Sequence, residues 1–235
     1  MTLRSIQAGK NPLVIIKAGM NVMVEGWDSD RVEAETDARA GLQLGLRPGN
    51  EIGRARAAVG NHVLFDLHFK RPGGNEPENS APAVEVQIAL EGKVRVPKES
   101  RIRVFSGLRA EVRGVQGPLA INSGRDMLVR DVGTLAHARS GLVADLECQT
   151  IEGQEVQFQA GRDLRCYVKG LTSARVLVTD LGGVWEGRIG AGEKTLRLIA
   201  GGEATLVTDQ PVDPVPPYYV LGRIEKPAPS AESSG

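Results

Sequence analysis

"VQFQAGRDLRCYV" (156–168) has the look of a site: a glycine where a backbone can approach a ligand, an Arg162/Asp163 pair suited to a charged group, and a cysteine. Three other stretches give it a different meaning. "VIIKAGMNVMV" (14–24), "LAINSGRDMLV" (119–129) and "LRLIAGGEATL" (196–206) align with residues 156–166 without a gap. Five positions before the glycine stand Val14, Leu119, Val156 and Leu196, and three before it Ile16, Ile121, Phe158 and Leu198. The residue just before is always small: Ala18, Ser123, Ala160 or Ala200. Five positions after come Val24, Val129, Cys166 and Leu206, so Cys166 fills an aliphatic column and its expected role is packing.

Weaker copies lie at "IRVFSGLRAEV" (102–112), "AHARSGLVADL" (136–146) and "VLVTDLGGVWE" (176–186), the last with Leu181 in the glycine's place. Phase marks at 107, 124, 141, 161, 181 and 201 are separated by 17, 17, 20, 20 and 20 residues. A fixed period of this size is the mark of a solenoid. Strict alternation sends every second side chain to one face, and a glycine or small residue midway permits a bend. Each repeat is therefore strand, corner, strand, and too thin to bury its own apolar face. Stacking at about 4.8 Å would align the aliphatics in continuous columns. The expected fold is all-β, a right-handed parallel β-solenoid with coils of about 17–22 residues. A sandwich of hairpins would need two- to five-residue turns that the corners do not regularly supply.

Residues 93–146, with "VRVPKES", the Ser-Gly corners at 106–107, 123–124 and 140–141, and "VRGVQGPLAINSGRDMLVRDVG", resemble an adhesin-like bacterial β-solenoid domain family of unknown function. "VMVEGWDSDRVEAET" (22–36) is similar to that family's opening strand pair. The resemblance spans about 12–208 and departs at "DLGG" (180–183) and the proline-rich end. It implies a stacked-strand fold and carries no catalytic signature.

Composition agrees with aliphatic β-structure: aromatics are 4%, against 29 glycines and 13 prolines. Basic and acidic residues balance at 29 each, so overall charge draws the chain to neither nucleic acid nor membrane. The two cysteines, Cys148 and Cys166, have no Cys or His at metal-ligand spacing and read as buried thiols. The opening lacks a secretory apolar core, and the best apolar run, 13–24, is broken by Lys17, so no membrane span and a cytoplasmic location are expected.

The chain divides into an N-terminal extension (1–11), an irregular capping part (12–92), regular coils (93–209), a proline-rich cap or bridge (210–225) and a disordered tail (226–235). Within the second part Phe65, Leu67, Val84, Val86 and Ile88 are expected to point inward, and 70–82 to form a loop. Tyr218, Tyr219, Val220, Leu221 and Ile224 form the candidate assembly segment, able to cover the last coil of its own chain or of a neighbour.

No catalytic residue, metal site or cofactor is expected. Asp126 and Asp163 follow corner glycines two coils apart, but nothing orders a substrate between them, and they read as solvated corners. His62, His68 and His137 lack ligand or triad spacing, and His137 alternates outward. Charge gives the strongest signal: seven basic residues against two acids between Lys93 and Arg113. Lys93, Arg95, Arg101, Arg103, Arg109 and Arg113 make a candidate interaction surface, opposite inward Val94, Val96, Ile102 and Val104. No aromatics interleave with them, so no specific nucleic acid is expected. The favoured function is a non-catalytic structural or protein-interaction module, partnered by itself or another protein. The alternative is a carbohydrate- or polyanion-binding module for an acidic polymer or anionic surface.

Overall fold

The computed structural model describes residues 1–37, 41–47, 83–215, 223–225 and 227, together with the backbone of the strands at 54–59 and 62–68. These residues form strands and no helix. In chain order they are β1 (Thr2–Gln7), β2 (Leu13–Ala18), β3 (Val22–Trp27), β4 (Arg31–Thr36) and β5 (Leu42–Arg47). A separate antiparallel pair follows, β6 (Arg54–Val59) and β7 (His62–His68). Next come β8 (Ala83–Ile88), β9 (Gly92–Pro97), β10 (Arg101–Ser106), β11 (Arg109–Arg113), β12 (Pro118–Ser123), β13 (Asp126–Ser140) and β14 (Val143–Ile151). The last are β15 (Glu155–Ala160), β16 (Asp163–Val168), β17 (Ala174–Asp180), β18 (Gly183–Ile189), β19 (Lys194–Ala200), β20 (Ala204–Val207), β21 (Asp213–Pro214) and β22 (Arg223–Glu225). The expectation of an all-β chain holds: all strands but β6 and β7 join one sheet, which curls until it nearly closes.

Two parallel ladders form most of that sheet. The first runs β8, β2, β10, β12, the far half of β13, β15, β19, β17. The second runs β9, β3, β11, the near half of β13, β14, β16, β20, β22. Register aligns the residues that the repeat aligns. In the first ladder Val86, Ile16, Val104, Ile121, Ala138, Phe158, Leu198 and Val178 stand in one row across the strands. In the second, Val94, Val24, Val112, Val129, Leu146, Cys166 and Leu206 do the same. All of these are buried and belong to one core. Each large aliphatic so placed contributes about 1.5–3 kcal/mol. Phe158, fully buried, lies next to Ala138, whose short side chain leaves room for the ring.

The corner glycines explain how the layers sit so close. A Cβ on Gly124 would stand 2.0 Å from the Gly107 carbonyl oxygen, one on Gly161 1.9 Å from that of Gly141, and one on Gly201 2.2 Å from that of Gly161. None of these glycines has positive φ, so close stacking, not a special bend, demands them. The small residue before each glycine points inward at the corner, and at Ser106 and Ser140, though not at Ser123, its hydroxyl donates to the backbone. Ser140 Oγ lies 2.6 Å from the Arg125 carbonyl of the preceding layer and 2.8 Å from that of Val143 in its own.

Stacking order departs from chain order at both ends. The layer at 13–27 lies inside the stack, between 83–97 and 101–113. At the other end β15 pairs directly with β19, and β17 lies outside β19. The phase mark at 181 therefore needs correction. Leu181 does stack on the corner column, its N–H donating to the Gly202 carbonyl at 2.9 Å, but beyond that layer instead of before it. β18 then returns antiparallel to β17 instead of crossing to the second ladder. Gly183 at φ +124° and a 2.8 Å bond from the Gly182 N–H to Asp180 Oδ1 make that reversal. Antiparallel strands also close the opposite end: β5 on β8, β4 on β9, and β1 on β4. Val84, Val86 and Ile88 are buried as expected, whereas the side chains of Phe65 and Leu67 and the stretch 70–82 lie outside the described residues.

Candidate interaction surfaces

Alternation that buries Val94, Val96, Ile102 and Val104 turns the neighbouring cations outward. They do not form one stripe. Lys93 and Arg95 on β9 and Arg109 and Arg113 on β11 flank β3 in the second ladder, while Arg101 and Arg103 on β10 belong to the first. Carboxylates meet most of them, three from parts of the chain distant in sequence and one, Glu111, from β11 itself. Lys93 Nζ lies 2.6 Å from Glu25, Arg95 3.7 Å from Glu33, Arg101 3.9 Å from Glu152, and Arg109 3.5 Å from Glu111, which also pairs with Arg113. The Arg95 guanidinium stands over the Trp27 ring at 5.8 Å. Arg103 is exposed and has no ion-pair partner among the described residues. The network continues along the second ladder: Arg130 pairs with Asp145 and Glu147, Lys169 with Glu147, and Arg165 with Asp145 and Glu225. Each exposed pair contributes little stability. Together they set a carboxylate beside five of the six cations of the candidate surface.

The corner acids are tied to their own arginines, Arg125–Asp126 at 3.4 Å and Arg162–Asp163 at 2.7 Å. Asp126 and Asp163 both pair with Val143, so they are two strands apart, about 10 Å. His137 is exposed, its Nε2 3.3 Å from Asn122 Oδ1; desolvation, then Arg139, lowers its pKa. Burial, with Glu147 adding to it, pushes the Cys148 thiol up to about 12, and burial raises Cys166 as well, so both are packing groups. No metal-holding cluster occurs among the described residues.

A surface that the sequence analysis did not single out runs along the corner. The residue after each corner glycine, with Leu181 and Leu90 extending the line where no glycine precedes them, is joined to its equivalent in the next layer by an N–H to carbonyl bond, in the order Leu181, Gly202, Arg162, Leu142, Arg125, Leu108, Met20, Leu90, at 2.7–2.9 Å. Leu90, Leu108 and Leu142 are 37–39% exposed and Leu181 is 84% exposed. The signal was present in the repeats, as the aliphatic residue after the glycine in "AGM" (18–20) and "SGL" (106–108 and 140–142).

Of the expected assembly segment, Tyr218, Tyr219, Val220 and Leu221 lie outside the described residues. Ile224 lies on β22, in register with Leu206 of β20 in the same chain, and is 43% exposed. No helix among the described residues is long and apolar enough to cross a membrane.

No family model matches the chain, and no curated protein matches it. A crystal structure described as a "putative cell adhesion protein" from Clostridium sporogenes aligns over 96% of this chain and 98% of its own, at 8% identity and a TM-score of 0.38.

Proposed function

We propose that the chain is a right-handed parallel β-solenoid that works as a non-catalytic scaffold, binding another protein along its corner ridge. The period near 20 residues, the in-register apolar rows and the stacked corner glycines support the solenoid. One observation carries the function: exposed Leu90, Leu108, Leu142 and Leu181 fall in a single line held by a continuous backbone ladder. Exposed aliphatics scattered singly need no explanation, but a rigid row of them rimmed by charge has the make-up of a protein contact. Arg125 and Arg162 interrupt the row with side chains 62–63% exposed. The fitting partner surface is apolar with carboxylates spaced along it. Against end-to-end stacking of a second copy, antiparallel strands of the same chain cover β8, β9 and β17, and the short parallel β22 covers β20.

The test compares the natural chain with a Leu108→Ser, Leu142→Ser double variant as bait in native extract, with Arg103→Gln as a control. A protein retained by the natural chain and the control but lost by the ridge variant, then rebound as purified protein, supports the reading. A purified partner bound equally by all three removes it, as does sedimentation showing that the chain dimerises through the ridge.

A further inference from the structure

Around Arg103 and Arg139, in the middle of the first ladder, the outer surface differs from the paired surface of the second, although Lys17 and Arg197 elsewhere on the first ladder are paired. Arg103, Ala120 and His137 lie side by side across β10, β12 and β13, and Asn122, Arg139 and Gln159 lie side by side across β12, β13 and β15. Arg103, His137, Arg139 and Gln157 are exposed, and Asn122 and Gln159 are half-buried. Arg103 and Arg139 have no carboxylate partner among the described residues, unlike the cations of the second ladder. Glu155, on the neighbouring β15, is committed to Arg197 at 2.6 Å. Ala120 leaves a shallow dip between Arg103 and His137, which are two strands, or about 10 Å, apart. The result is a shallow platform of amide and imidazole hydrogen-bonding groups with free guanidinium groups at two places.

We propose that this platform binds a linear anionic polysaccharide, with its carboxylate or sulfate groups on Arg103 and Arg139 and its hydroxyls on Asn122, Gln157 and Gln159. The chemistry of the surface decides the class. Guanidinium forks match carboxylate and sulfate oxygens, and amides both donate to and accept from hydroxyls. An acidic peptide would need apolar pockets or an open strand edge, whereas this surface is polar and internal to the ladder. A lipid surface would need apolar side chains to insert, and nucleic acid strands would find no aromatic ring for stacking. The inference rests on the register of the first ladder and is independent of the ridge.

The test measures binding of the full chain to immobilised heparin, polygalacturonate and neutral dextran at low salt, with duplex DNA and anionic vesicles as further polyanions. The natural chain should bind heparin or polygalacturonate and not dextran, and the preferred polymer distinguishes sulfate from carboxylate. Arg103→Gln with Arg139→Gln should weaken that binding about tenfold or more. Arg109→Gln with Arg113→Gln on the second ladder, equal in charge lost, should change it less than about twofold. Gln157→Ala with Gln159→Ala should weaken polysaccharide binding and leave any residual DNA binding unchanged. Melting curves establish that each variant is folded. Absence of binding to both acidic polymers overturns the proposal, and so does equal loss in the two arginine pairs. Binding to DNA or vesicles as tight as to the polysaccharides, with the glutamine variant silent, also overturns it and leaves charge alone.

Discussion

The carbonyl oxygen of Gly124 lies 1.9 Å from where a Cβ on Gly141 would stand, so these layers can stack at the corner only while residue 141 lacks a side chain. Gly141→Ala must therefore push two hydrogen-bonded layers apart, and it should cost about 2 kcal/mol or more. Gly45→Ala is the control, because a Cβ there meets nothing within 4 Å. Its cost should stay within about 0.5 kcal/mol in the same urea titration. Equal costs would show that the corner yields.

Phe158 and Asp163 stand five residues apart in the stretch that first resembled a site, and they separate packing from chemistry. Phe158 is fully buried in the core between Ala138 and Leu198, whereas Asp163 reaches solvent beside Arg162. Phe158→Ala should cost about 3–5 kcal/mol and Phe158→Asp should prevent folding. Asp163→Ala should cost about 0.5 kcal/mol or less. Thermal melts that rank them in the reverse order would contradict the packed-row assignment.

The apolar rows were legible because both their causes are local: alternation sets which side chains face in, and a glycine marks each corner. Stacking order was not legible. Residues 14–24 align as well with one copy as with another, and only contacts remote in sequence place Ile16 between Val86 and Val104. The hairpin at "DLGG" carried its own turn signal in Asp180, Gly182 and Gly183, which the period near 20 overrode. Pairing of the cations was hidden for the same reason as the order. Glu25 and Glu33 reach Lys93 and Arg95 only because β3 and β4 lie against β9.

Arg175 and Glu186 join β17 to β18 by a two-pronged contact of 2.6 and 2.9 Å. That hydrogen bonding holds the Glu186 carboxyl below its ordinary pKa, against the opposing effect of burial. A carboxyl with a depressed folded value stabilises the fold above its unfolded pKa, near 4.3, and loses that contribution as pH falls through the folded value. Glu186→Gln should therefore be less stable than the natural chain by about 1 kcal/mol at neutral pH. The gap should close as pH falls below the usual carboxylate range. A gap constant with pH, in denaturation at several pH values, would show that the charge of Glu186 is immaterial.

Both thiols should resist alkylation in the native chain. With Cys148 pushed up to about 12 and Cys166 fully buried, the thiolate is scarce at pH 8 and reagent access is closed. Ellman's reagent should titrate neither group until denaturant is added, and then both at once. Rapid reaction of one thiol in the folded chain would place it outside the packed rows.

Leu196 and Leu198 of the last regular layer are covered by Val176 and Val178 of β17, so closing the first ladder does not require the C-terminal segment. The second ladder differs. There β20 pairs outward with β22, the Thr208 N–H donates to the Glu225 carbonyl at 2.9 Å, and Arg165 reaches Glu225 at 3.5 Å. Truncation after Asp209 strips that cover and bares the β20 edge beside Leu206. An open parallel edge next to an apolar row is a template for another strand. The truncated chain should therefore melt a few degrees lower and sediment as larger species with increasing concentration, while the full chain does not. Placing Lys at Thr205 of the truncated chain, a charge on the bared edge, should reverse the association without restoring the melting temperature. Identical sedimentation of full and truncated chains across concentrations would show that β22 guards no edge.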